Sequence, residues 1–214
     1  MIRAGTQSLA GRKAQGHSPS GDCLLCVPIH IKLFCGIIEP FRQILRILDG
    51  AKNSGLCAME LTIRSSTPED AEIVADLGRE FVEYLCSLGD PEPRSLTAED
   101  YLRDGFGEQA AFSGLIAEFN GQAVGYLLYH QGYDVDRGGR ILYVIDLFVR
   151  EGARRHGAGR ALMEAAAEIC HRLGGRELFW SVYAPNTMAQ VFYERLGAKY
   201  TKDLKFMHWL VATH

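Results

Sequence analysis

The stretch ILYVIDLFVREGARRHGAGRALMEAAAEICHRL, residues 141–173, decides the fold. Its first nine residues carry one charged side chain, Asp146, among β-branched, aromatic and aliphatic types that suit a mostly buried strand. Residues 150–156 are charged and glycine-bearing, and Gly157 and Gly159 follow two positions apart. From Arg160 onward the apolar residues Leu162, Ala165, Ala166, Ile169 and Leu173 recur on one helical face. The expectation is a strand, a tight turn and a helix in immediate succession.

A turn of this kind has a chemical preference. The start of a helix leaves several backbone N–H groups without intrahelical partners, and glycine lets a ligand approach them with no Cβ in the way. The helix dipole and the formal charges of Arg154, Arg155 and Arg160 favour an anion there, phosphate above all. Two well-known phosphate loops do not fit. Gly152 and Gly157 have P-loop separation, but Ala158 and Gly159 stand where that loop needs Lys and a hydroxyl residue. A dinucleotide fingerprint fails at its third position, which is Leu162.

Working outward, residues 111–119 and 122–130 read as strands around Asn120-Gly121, the dipeptide best suited to a two-residue hairpin turn. A break over 134–139 leads into the strand at 141. Residues 61–64 make a short first strand. Thr67-Pro68-Glu69-Asp70 starts a helix whose apolar stripe, Ile73, Leu77, Phe81, Leu85 and Leu88, ends at Gly89. A second helix is capped near Thr97 and runs to about Gly105. Gly174-Gly175 stops the long helix, and residues 177–183 should form a strand parallel to 141–149, because the connection is a helix crossover. Residues 198–200 and 204–210 are expected to add a final hairpin. The fold class is therefore mixed α/β: one sheet of six to seven strands, antiparallel in its N-terminal half, with one parallel pair and helices on both faces.

What fits the central turn is R-x-x-G-x-G, read as Arg154, Arg155, His156, Gly157, Ala158 and Gly159 between an apolar strand and an amphipathic helix. This resembles the pyrophosphate loop of the GNAT family of N-acetyltransferases. Downstream, APNTMAQVFYERLGA (residues 184–198) resembles that family's N-x-x-A-x-x-F-Y segment. The resemblance covers residues 63–209 and implies acetyl-CoA as acyl donor. It implies that the parallel pair splays where the cofactor enters, with the pantetheine arm along Leu147, Phe148 and Val149. The pyrophosphate would then sit on the turn of residues 154–159 and Arg160, and Asn186 and Tyr193 would also reach the cofactor.

Amide formation needs a neutral amine, although an alkyl amine has a pKa near 10, and it needs a proton for the departing thiolate. By the resemblance, Tyr193 is the candidate acid. The segment LYVIDLFV is most similar to diamine and thialysine acetyltransferases, whose matching segment carries Glu-Asp; here the Glu position is Ile145. Asp146, Glu118 and a water chain remain as candidate bases, with Asp146 named as catalytic. Asn186 is also a good helix cap by chemistry alone.

Charge and cysteine usage change near Met59. Residues 1–58 hold seven Lys and Arg against three acids, a net +4, and four of the six cysteines; the remainder holds 16 against 23, a net −7. Cys23-Leu-Leu-Cys26 with His30 and Cys35 lacks the spacing of a zinc site, and Pro28, His30 and Lys32 interrupt the apolar run that a membrane anchor would need. Residues 1–58 are read as a leader, disordered or outside the native protein, and residues 59–214 as the acetyltransferase domain. No metal spacing appears among His130, His156, His171 and His208, and an acidic domain without a basic stripe argues against nucleic acid. Cys86 and Cys170 suit reduced thiols in the cytoplasm. The expected partner is a small-molecule amine, with no membrane, and the resemblance implies a homodimer. The alternatives are a catalytically silent acyl-CoA-binding module and a protein or peptide N-acetyltransferase.

Overall fold

The computed structural model describes residues 60–91, 94–202 and 205–211. The expected leader, with Cys23 and Cys26, lies outside the described residues. Strands β1 (Leu61–Ser65), β2 (Ser113–Phe119), β3 (Gln122–Asp134), β4 (Gly139–Val149) and β5 (Gly175–Phe179) form one sheet in sequence order. The first three pairings are antiparallel and β4 pairs parallel with β5. The β2–β3 turn has Asn120 at φ 50° and Gly121 at φ 78°, the two left-handed residues that its sequence demands.

Helices cover both faces, and strand alternation assigns each residue to one of them. Leu115, Ala117 and Leu127 pack under α3 (Ala158–Arg172), with Leu162, Met163 and Ala166 of that helix. Ile116, Tyr126 and Leu128 point the other way, toward Val74 and Leu77 of α1 (Ala71–Ser87) and Tyr101 of α2 (Ala98–Gly105). Thr67 and Pro68 open α1 through a 3-10 turn, and Thr97 caps α2 by accepting from the Asp100 N–H at 3.1 Å. A last helix, α4 (Thr187–Arg195), packs Phe192, Tyr193 and Leu196 onto the α3 core.

The ladder between β4 and β5 runs only from Arg140 to Tyr143, where Tyr143 faces Phe179. Beyond that the two strands part, and among the described residues Val144 to Val149 have no ladder partner on that side. The expected strand 177–183 is accordingly shorter at its end: Trp180 to Tyr183 leave the sheet once β4 moves away. The expectation of six to seven strands is corrected to five among the described residues. No strand forms in 205–211, where Phe206, Met207, Trp209, Leu210 and Val211 are 83–96% exposed. Apolar and aromatic content marks strand propensity, but a strand needs a ladder partner, and these residues have none among those described.

Candidate active site

The site begins with an irregularity in β4. Leu128 pairs with Asp146 and Tyr129 with Val144, so Ile145 is an extra residue, a β-bulge. Leu142 and Val144 face α3, whereas Phe148 faces α1. Asp146 shares the Phe148 side, where its Oδ2 accepts a hydrogen bond from the Tyr126 hydroxyl at 2.5 Å. The bulge thus re-aims a carboxylate that regular alternation would have driven into the α3 core. Ile145 itself is 46% exposed. Burial raises the Asp146 pKa from its ordinary 3.8 to about 6, against the lowering effects of Tyr126 and the Leu147 N–H. Near pH 7 this group is mostly ionised yet holds a proton well enough to serve as a base.

Beside it, the gap between β4 and β5 leads to the expected phosphate turn. Arg155 (φ 65°) and Gly157 (φ 91°) both adopt left-handed backbone, curling the chain just before α3. The opening bond of the helix runs from the Ala161 N–H to the Gly157 carbonyl at 2.9 Å, which leaves the N–H groups of Ala158, Gly159 and Arg160 at its positive end. A Cβ on Gly159 would stand 3.3 Å from Phe192 Cζ, so this glycine also admits α4. The concave backbone, the missing side chains and the dipole fit a pyrophosphate.

The basic residues of the turn divide. Arg155, His156 and Arg160 are exposed, with His156 edge-on to Phe119 and Arg160 3.4 Å from Glu164. Arg154 instead turns back: its Nε donates to the Val149 carbonyl at 2.8 Å, and its guanidinium lies over the rings of Tyr84 and Phe148. It ties the turn to α1.

On the far side of the gap, Asn186 is 7% exposed and caps α4, its Oδ1 accepting from the Ala189 N–H at 3.1 Å and the Tyr84 hydroxyl at 2.9 Å. Tyr193 packs its ring on Trp180 at 4.9 Å and Phe192 at 5.1 Å. Among the described residues its hydroxyl has no hydrogen-bond partner. Burial, with a further contribution from the charge of Asp146, pushes its pKa up to about 12. Asp146 and Tyr193 therefore feel one another, and Tyr193 enters neutral chemistry as a proton donor. Leu147 and Val149 pack toward the α3 side while their strand edge faces the gap. Two concavities of about 650 and 270 Å³ lie elsewhere, by Phe119 and Arg150 and by Cys170 and Arg176. An open cleft suits a long, linear ligand better than either.

The sequence profile of the acetyltransferase (GNAT) family matches residues 75–198, more than half of the chain. The chain belongs to the GNAT acetyltransferase family. It is 31% identical to a thialysine N-epsilon-acetyltransferase of Bos taurus over 155 residues, covering 68% of this chain and 88% of that one. It is 29% identical to an N-acetyltransferase, YhfO, of Bacillus subtilis over 149 residues, covering 70% and 95%. Among solved structures, a ribosomal-protein-alanine N-acetyltransferase from Brucella melitensis biovar Abortus shares the fold at a TM-score of 0.55 and 19% identity, covering 70% and 99%. GNAT enzymes use acetyl-CoA as donor, and this chain is an acetyl-CoA-dependent acyltransferase.

Of the GNAT candidates, the fold brings Asp146, Tyr193, Asn186 and the turn of residues 154–160 around one gap. Glu118 is elsewhere: its Oε1 is 2.8 Å from Arg64 Nε, and Arg64 also grips Asp70 through two 2.7 Å bonds. That network fixes β1 and the start of α1 and leaves Glu118 no role near the gap. Tyr126, Tyr84 and Trp180 escaped sequence reading, because each resembles an ordinary core aromatic until the partner of its polar edge or ring is known. Among the described residues no group of three or more His, Cys, Asp and Glu could hold a metal, and no helix is long and apolar enough to cross a membrane.

Proposed function

We propose that this enzyme transfers the acetyl group of acetyl-CoA to a primary amine of a small molecule by direct attack within a ternary complex. The observation that carries the reading is the bulge at Ile145, which sets the Asp146 carboxylate on the open side of β4, in electrostatic reach of Tyr193. Leu147, Phe148 and Val149 offer the free strand edge for the pantetheine arm, and Arg155, His156, Gly157, Ala158, Gly159 and Arg160 receive the pyrophosphate. Arg154 holds that turn in shape from behind. Asp146 removes a proton from the acceptor ammonium, freeing the nitrogen electron pair to attack the thioester carbonyl. Tyr193 gives its phenolic proton to the departing sulfur as the C–S bond breaks, and the second proton that the attacking nitrogen sheds as the amide forms restores the Tyr193 phenol. The thialysine relative supports an amine on an amino-acid-like molecule, and a polyamine is the neighbouring class.

Residues 59–214 carry this activity, a reading supported by the family match at 75–198. Free thiols at exposed Cys86 and buried Cys170 support the cytoplasm, and the exposed apolar residues at 206–211 support a homodimer. The test is release of free CoA thiol from acetyl-CoA in the presence of thialysine, ornithine, spermidine, an aminoglycoside and a peptide with a free N-terminus. Turnover with the small amines is expected. Turnover with the peptide alone would replace the acceptor class, and silence with all five would make the chain a cofactor-binding module.

A further inference from the structure

We propose that Tyr126 is the positioning residue of the base, holding Asp146 Oδ2 through its hydroxyl so that the carboxylate meets the acceptor ammonium in one fixed orientation. The inference rests on the reading of Asp146 as the base. Tyr126 pairs with Phe148 and Leu128 with Asp146, so Tyr126 and Asp146 are diagonal neighbours on one face, within reach of a long side chain. Tyr126 is 2% exposed and locked in the core between the sheet and α1, whereas Asp146 is only partly covered. One end of the bond is rigid and the other faces the cleft.

The direction of the bond follows from the environment. Burial first, and the Asp146 charge second, push the Tyr126 phenol well above its ordinary 10, so it stays protonated and can only donate. A carboxylate has lone pairs to spare after accepting this bond and that of the Leu147 N–H. The proton leaves the ammonium nitrogen for a free lone pair of Asp146, the nitrogen keeps its electron pair, and nothing is oxidised or reduced. Tyr126 cannot take that proton onward. The proton leaves Asp146 on the side that neither Tyr126 nor the Leu147 N–H occupies. Tyr126 from β3 and the Leu147 N–H of its own strand act on Asp146, whose charge in turn reaches Tyr193 on α4; among the described residues no cation pairs with Asp146.

The test follows the Asp146 carboxyl carbon by NMR through a pH titration of the full chain without ligand, its signal assigned by its loss in Asp146→Asn. Tyr126→Phe keeps the ring in the core and removes the donor, so the Asp146 midpoint should rise by about one pH unit. Replacing Tyr126 by 3-fluorotyrosine makes a stronger donor and should lower it, a reversal that a packing effect would not produce. In parallel, the acidic limb of kcat/KM with the fastest amine of the panel should move in step with the midpoint in both variants. An unmoved midpoint overturns the proposal whatever the activity does. A midpoint that moves while the rate profile stays still shows that Asp146 is not the base, and the positioning role falls with that reading.

Discussion

The hydroxyl of Tyr84 and the side chain of Asn186 meet at 2.9 Å, joining α1 to the first turn of α4 across the opening between β4 and β5. The same Asn186 oxygen takes the Ala189 N–H, so one atom both caps a helix and closes a contact 102 positions away in sequence. Its amide nitrogen takes part in neither bond.

Two substitutions separate those duties. Asn186→Asp keeps an acceptor for both donors and suits a helix N-terminus, so its urea midpoint should stay within about 0.5 kcal/mol of the parent. Asn186→Ala removes the acceptor and should cost about 1–2 kcal/mol. If the nitrogen holds the cofactor arm, calorimetric titration with CoA will show Asn186→Asp weakened at unchanged stability. Equal CoA affinity in the parent and the Asp variant would confine Asn186 to capping.

The glycines of the turn should differ in what they cost. Gly157 sits at φ 91°, so Gly157→Ala should lower stability by about 1–2 kcal/mol whatever it does to binding. Gly159 lies within the helix start with its Cβ position 3.3 Å from Phe192, so Gly159→Val should cost about 1–3 kcal/mol by crowding α4 and, by shifting the start of α3, weaken CoA binding about tenfold or more. A Gly159→Val enzyme that binds CoA as tightly as the parent would place the phosphates elsewhere.

Much of this was legible in the chain. The Asn120-Gly121 turn, the glycine turn before α3 and the crossover to β5 each follow from short-range chemistry, and each appears in the fold. The bulge was not legible, because nothing in ILYVIDLFV distinguishes a nine-residue regular strand from one that carries an extra residue; only the register against β3 shows it. For the same reason Asp146 could be named while its partner Tyr126 could not. Arg154 carried the ambiguity of every arginine near a phosphate turn, and its stacking on Tyr84 and Phe148 depends on where α1 lies. The expected final hairpin rested on composition at 204–210, and composition cannot supply a partner strand.

Asp146 should make the protein less stable at the pH where it works. Its folded pKa, about 6, lies above the ordinary 3.8, so the native state prefers the protonated form. The stability this contributes is full below about pH 4 and is lost as pH rises through 6. Asp146→Asn should therefore unfold at higher urea than the parent at pH 8, by about 2 kcal/mol after allowing for solvent on its open flank, and match it near pH 4. Urea melts at pH 4, 6 and 8 check both the size and the direction. A parent that gains on the variant as pH rises would contradict the buried-carboxylate account.

Tyr193→Phe should lower kcat far more than it changes the Michaelis constant for acetyl-CoA. The ring would keep its place on Trp180 and Phe192, so ground-state binding and folding should survive. The lost hydroxyl acts only as charge develops on sulfur, and general-acid help is commonly about 100- to 10,000-fold. Steady-state rates across pH 6 to 10 would decide the matter. Full turnover at every pH would remove Tyr193 from the chemistry and leave positioning as the main contribution.

The bulge makes β4 two half-strands that are out of phase, one belonging to the α3 core and the other to the cleft. Ile145 is the spacer between them, and its part in placing Asp146 lies in occupying a position rather than in its side chain. Exchanging it for another residue that tolerates the same backbone should leave the carboxylate where it stands. Repairing the ladder so that residue 145 pairs in turn would rotate Asp146 inward against Leu162 and Phe148 with it. What residue 145 contributes is an offset in the strand, set by the number of residues between Val144 and Asp146 rather than by the identity of the one that fills it.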